Sequence, residues 1–104
     1  MEYQLIVAIV KKGRANEVVE CAREAGANGA TISYARGTSI HTPEPFLGIR
    51  PTNEQEMVWV IIPAELCEKV LARIVEVGEL ERPGMGVAMV LPILQVVGLV
   101  HQTP

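Results

Sequence analysis

The sequence predicts an α+β fold in the order β-α-β-β-α-β, with one antiparallel sheet and both helices on the same face of it. Three observations carry that expectation. Short β-branched runs recur along the chain, two stretches of helical period lie between them with a glycine at the end of each, and the two halves match at a fixed offset.

Residues 3–10, YQLIVAIV, form a β-branched run ended by Lys11, Lys12 and Gly13, which reads as the first strand. From Asn16 to Ala25 the apolar residues Val18, Val19, Ala22 and Ala25 share one helical face, and Gly26 stands where a C′ glycine ends a helix. Residues 29–36, GATISYAR, alternate Ala30, Ile32 and Tyr34 with Thr31, Ser33 and Ala35, a strand with one more polar face. Met57 to Ile62, MVWVII, is a wholly apolar strand. After Pro63 a second helix carries Leu66, Val70, Ile74 and Val77 on one stripe and is stopped by Gly78. Val87 to Leu91 and Gln95 to Val100 are the closing strands, the last a short C-terminal addition. Val18, Ala22 and Gly26 match Val70, Ile74 and Gly78 at an offset of 52 residues, a weak internal duplication. Two βαβ units of this kind combine most simply as a ferredoxin-like sheet.

Length and composition bound the function. The 104 residues make a single domain, 1–104, and 49% hydrophobic against 20% charged residues mark it as globular. A net charge of -3, no basic tract and 4% aromatics argue against nucleic acid as a partner. Cys21 and Cys67 make no disulfide framework and read as small buried thiols. Glu2 and Gln4 precede the first apolar run where a signal peptide would carry basic residues. Pro83 to Val100 holds 18 residues without an acid or base, but Gly84, Gly86, Pro92, Gln95 and Gly98 interrupt it, so it reads as strands rather than a membrane span. A soluble cytoplasmic protein is expected.

The strands also predict assembly. Leu5, Val7 and Ile9 point one way and Ile6, Ala8 and Val10 the other; Met57, Trp59 and Ile61 likewise oppose Val58, Val60 and Ile62. Two helices cover one face only, so a monomer would expose an apolar surface the size of the sheet, and further copies of the chain should cover it.

Two segments draw functional attention. Thr38 to Gln55 is an 18-residue connection with Pro43, Pro45 and Pro51 and no period, and it holds the apolar tetrad Phe46, Leu47, Gly48 and Ile49 followed by Arg50. Such a loop can dock a partner, fold over a ligand or tuck against its own body. Leu80 to Val87, LERPGMGV, is a glycine turn in which Gly84 and Gly86 permit positive φ and leave N–H groups open to an anion. Taken alone, that turn is a weak signal.

Catalytic patterns are thin. No metalloprotease, nucleophile-elbow or P-loop motif occurs. His41 with Glu44, or His101 with a carboxylate from another copy, falls short of the three or four ligands a metal site needs, so no metal residues are assigned. Glu65, Glu68, Lys69 and Arg73 read as a solvated helix face. Arg14 and Asn16 follow strand one as in acylphosphatases, but the glycine-rich cradle of that chemistry is missing. The expected protein is therefore not an enzyme.

The ordered set of segments resembles the PII signal-transduction family. LIVAIVKKGRANEV resembles its opening strand, Lys-bearing turn and helix start. GANGATISYARGTS resembles its glycine and threonine stretch, with Gly26, Gly29, Thr31 and Gly37 in place. EMVWVIIP resembles the third strand with its terminal proline, and PGMGVAMVLPI the glycine turn entering strand four. The likeness covers about residues 3–97. It implies a homotrimer whose intersubunit clefts bind an adenine nucleotide as effector. Ile9, Thr31 and Ile61 would frame the base, while Gly37, Thr38, Gly84, Met85 and Gly86 would approach the ribose and phosphates. It also implies that loop 38–55, with Phe46, Leu47, Ile49 and Arg50, engages a client protein or membrane transporter, as in nitrogen regulation.

The departures from the family pattern lie in the phosphate site. Val87 stands where the family usually carries Lys, Met85 where it often has Asp, and Val97, Gly98, Leu99 and Val100 where two Arg are typical. A different or less charged ligand is the expectation that follows. The rival reading is a trimer similar to CutA, with a divalent-metal-linked or structural role.

Overall fold

A computed structural model describes residues 2–37 and 53–99 of the chain. Six elements follow in the order β1 (Tyr3–Lys11), α1 (Ala15–Glu24), β2 (Thr31–Gly37), β3 (Asn53–Pro63), α2 (Ala64–Gly78) and β4 (Gly86–Pro92). The strands form one sheet in the order β2-β3-β1-β4, antiparallel at every pairing. This is the ferredoxin-like arrangement expected, and exchanging the β1-α1-β2 half for the β3-α2-β4 half merely reverses the strand order.

The core lies between sheet and helices. Ile6, Ala8 and Val10 of β1 and Val58, Val60 and Ile62 of β3 are fully buried, and they meet Val18 and Ala22 of α1 and Val70 and Ile74 of α2. Each of those residues falls on the stripe its local period assigns to the core side. The thiols of Cys21 and Cys67 are buried in the same layer, and burial pushes both above their ordinary titration range.

The helices end by the same hydrogen-bond pattern but with different residues. After α1, Gly26 takes φ +124°, and the Ala27 and Gly26 amides donate to the carbonyls of Ala22 and Arg23, a Schellman closure. After α2, the Leu80 and Glu79 amides donate to Val75 and Glu76 in the same way. There the left-handed residue is Glu79, at φ 53°, ψ 42°, and Gly78 is the last helical residue rather than the stop expected of it. A Cβ at Gly78 would lie 3.1 Å from Leu80 Cδ2, a tight contact with the end of that side chain.

Two further expectations are corrected. β3 begins at Asn53 rather than Met57, so the last residues assigned to the long loop belong to a strand. Its first residues are polar and serve neighbouring segments: Glu54 pairs with Lys12 and Glu56 caps α1. Residues 93–99 form no strand. Pro92 has no N–H to extend the ladder, Gly98 takes φ +101°, and the apolar Leu94 and Val97 are 99% and 89% exposed, with no ladder partner among the described residues. No described helix is long and apolar enough to cross a membrane.

Candidate functional site

The face of the sheet away from the helices carries a three-by-three apolar lattice. Register places Ile61, Leu5 and Leu91 in one row, Trp59, Val7 and Met89 in the next, and Met57, Ile9 and Val87 in the third. Val7 at its centre is nearly buried by its neighbours, while Trp59, Ile61, Val87, Met89 and Leu91 are each more than a third exposed. β2 borders the lattice with Thr31, Ser33 and Ala35, and the Trp59 indole donates to Ser33 Oγ at 3.2 Å. An indole whose N–H is satisfied can lie flat on such a surface without an unpaired donor.

The predicted ligand residues distribute over this face in separate groups. Ile9 and the turn of Gly84, Met85 and Gly86 come together. Gly86 pairs with Val10 at φ +140°, and a Cβ on it would lie 2.2 Å from the Ile9 carbonyl oxygen, so only glycine lets β4 approach β1 here. Gly84 also takes a positive φ, 79°, while Met85 is buried and its amide donates to the Arg82 carbonyl. Thr31 and Ile61 come together elsewhere, in a groove of 310 Å³ that Trp59 and Leu99 also line. Ile61 lies opposite Leu5 and Ile9 opposite Met57, so the two groups are four residues apart along the strands, roughly 13 Å. Gly37 closes β2 opposite Asn53, at the far edge of the sheet from Gly86, with Gln55 Oε1 2.7 Å from where its Cβ would stand. Thr38, Phe46, Leu47, Ile49 and Arg50 lie outside the described residues, as do His41, Glu44 and His101. Among the described residues no three His, Cys, Asp or Glu side chains gather as a metal site would require.

Several supporting residues were not visible from sequence. Glu56 of β3 reaches the start of α1, accepting from the Gly13 amide at 2.6 Å and the Ala15 amide at 3.2 Å. It serves the exposed N–H groups there that Arg14, the residue at the N-cap, does not cap with its side chain. Arg14 turns instead to the other helix, donating to the Val77 carbonyl at 3.3 Å and pairing with Glu79 at 2.9 Å. Glu79 also holds Arg82, at 2.9 Å, and these two guanidiniums, Arg82 first, keep its carboxyl below the usual carboxylate range. The turn that carries Gly84 and Gly86 therefore starts from a fixed charge cluster on the helix side. At the same end of β1, on its β3 side, Lys12 and Glu54 form an exposed pair at 2.7 Å beside a 590 Å³ groove that Tyr34 and Arg36 also line. Trp59 was within reach of the sequence: it is two residues from Ile61 and so shares its face.

Residues 3–102 match the family model described as nitrogen regulatory protein P-II. The chain belongs to the P-II family. No curated protein sequence matches it. Among solved structures it is similar to Arabidopsis thaliana PII bound to citrate, at a TM-score of 0.71 and 23% identity, covering 88% of this chain and 78% of that one. At that identity the likeness speaks for the fold, and the family model for the membership. P-II family proteins are regulatory, and the sheet topology agrees with the fold that the resemblance of segments implies.

Proposed function

We propose that this P-II family protein is a non-enzymatic regulator that assembles as a homotrimer, binds a small effector between subunits and signals to a client through the segment 38–55. The apolar lattice on the open sheet face carries the reading. A contiguous patch of this kind is larger than a monomer usually leaves in water, and a cyclic assembly of identical chains is the simplest cover for it. Assembly also resolves the scattering of the ligand residues. Ile9 with the glycine turn, Thr31 with Ile61, and Gly37 form separate groups in one chain, so a cleft would draw its walls from neighbouring copies. An adenine nucleotide is the effector class that the family resemblance favours.

The mechanism is linkage. An effector touching the glycine turn and the residues that lead out of Gly37 favours one arrangement of segment 38–55, a client selecting that arrangement binds better, and it tightens the effector by the same factor. The client would be a protein or a membrane transporter, reached by Phe46, Leu47, Ile49 and Arg50, in a cytoplasmic setting.

Sedimentation combined with calorimetric titration of adenine nucleotides and divalent metals tests this. A trimer that binds a nucleotide, with weaker binding in Gly84→Ala, supports the reading. A stable monomer, or metal binding alone that is lost on replacing His41 or His101, would turn it toward the role of a trimer similar to CutA or abandon assembly altogether.

A further inference from the structure

Arg14, at the N-cap of α1, stands between two remote parts of the chain. The amides on either side of it, Gly13 and Ala15, donate to one oxygen, Glu56 Oε1, at 2.6 and 3.2 Å. Its own amide donates to the Lys11 carbonyl and its carbonyl accepts from the Val18 amide, so this backbone is held on every side with the Glu56 carboxylate at its centre. The side chain reaches the end of α2, donating to the Val77 carbonyl at 3.3 Å and pairing with Glu79 at 2.9 Å. From Glu79 the bonds continue into the glycine turn. The Arg82 amide donates to the Glu79 carbonyl, the Met85 amide donates to the Arg82 carbonyl, and Gly86 then enters β4. Lys12 and Glu54 lie close by, but both are largely exposed, and such a pair contributes little.

Both ends of this run of contacts matter to the function proposed above. Glu56 stands three residues after Asn53, where β3 begins directly after residues 38–52. We propose that Arg14 couples that exit to the glycine turn: a shift at the start of β3 that draws Glu56 away from Gly13 and Ala15 releases Arg14 and loosens the turn of Gly84 and Gly86, with no ligand bridging the two. A second route runs through the ladder, since Val10 pairs with Glu56 on one side and Gly86 on the other. That route is backbone and needs neither the Glu56 carboxylate nor the Arg14 guanidinium, so side-chain replacement separates the two. The amides of α2 are bypassed, because Arg14 meets only a carbonyl and a carboxylate there. The inference rests on the reading of segment 38–55 and the turn as the two ends of signalling, and gives the linkage between them a path within one chain.

Amide exchange measured by NMR on the full chain, with no effector or client present, tests it. In Glu56→Ala the Arg82 and Met85 amides should exchange at least about threefold faster. In an Arg14→Gln background Glu56→Ala should change them no further. Reciprocity requires the converse: Glu79→Gln should speed exchange at Gly13 and Ala15, again only while Arg14 is present. Turn amides unmoved by Glu56→Ala overturn the inference. So does an effect of equal size in the Arg14→Gln background, which assigns the coupling to the ladder through Val10. Thermal melts show whether each variant keeps its fold, and where Glu56→Ala does not, the Glu79→Gln arm decides alone. A nucleotide titration without binding bears on the effector reading and leaves this coupling as it is.

Discussion

The guanidinium of Arg14, at the mouth of α1, closes the far end of α2 by pairing with Glu79, the one described non-glycine residue with a positive φ. A left-handed backbone without glycine costs stability, and here the side chain that sits in it is held by two cations. Removing the carboxylate should therefore destabilise the end of α2 and the turn beyond it. Since the folded-state carboxyl titrates below its ordinary 4.5, the unfolded chain takes up the proton first as pH falls. The contribution is complete above that ordinary value and fades as pH drops through the folded one. Glu79→Gln should melt below the unmodified protein near neutrality, and the gap should close on acidification and shrink in concentrated salt. Glu79→Gly loses the same pairs but relieves the backbone, so it should melt above Glu79→Gln.

Gly86→Ala places a methyl group 2.2 Å from the Ile9 carbonyl oxygen, at a φ of +140° that alanine avoids. The atom it meets is backbone in the central strand β1, with no flexible end to move aside. A loss of at least about 2 kcal/mol is expected, read by denaturant titration. Gly29→Ala is the control: nothing lies within 4 Å of its Cβ position, so a change within about 0.5 kcal/mol is expected.

Glu56→Ala should cost about 1 kcal/mol, in the range of a lost helix cap, because it strips the acceptor from the Gly13 and Ala15 amides. Hydrogen exchange locates the effect. Protection should fall at the first turn of α1 and stay unchanged in α2.

Ile74→Ala removes a fully buried side chain of the α2 stripe from the core cluster that also holds Val58 and Val60. A cost of about 2–5 kcal/mol is expected for such a truncation. Met89→Glu changes a residue on the open lattice and barely touches the core layer. Chemical stability should then be read alongside sedimentation, where the variant is expected to run as a monomer.

Much of this fold is legible in the chain because each half obeys a single period at a time. Val58, Val60 and Ile62 alternate with Trp59 and Ile61, and Val70 and Ile74 fall one helical turn apart, so the core declares itself. The start of β3 hides because Asn53 to Glu56 are polar. Their strand is imposed by pairing with β2 and β1, a property no local period carries. The missing terminal strand shows the converse. Residues 95–100 have the composition of a strand, but the described ones, 95–99, join no ladder with a described strand, and composition alone does not make one. The site was legible as residue types and illegible as geometry. Gly84 and Gly86 announce a turn, yet the ties of Glu56 to Gly13 and of Arg14 to Glu79 span more than forty residues and leave no mark in either neighbourhood.

The Arg14 to Glu79 tie also bears on the ancestry of the fold. If the halves descend from one βαβ unit used twice, α1 has kept a glycine at its exit while α2 has replaced that freedom with a carboxylate whose partner lies in the other half. The two copies have ceased to be interchangeable parts. A chain rebuilt from the first half repeated would lack Glu79 and would leave Arg14 without its counter-ion, whereas the second half repeated would keep the left-handed glutamate and lose the arginine that crosses to it. On that descent, divergence joins the halves by a dependence that runs between them.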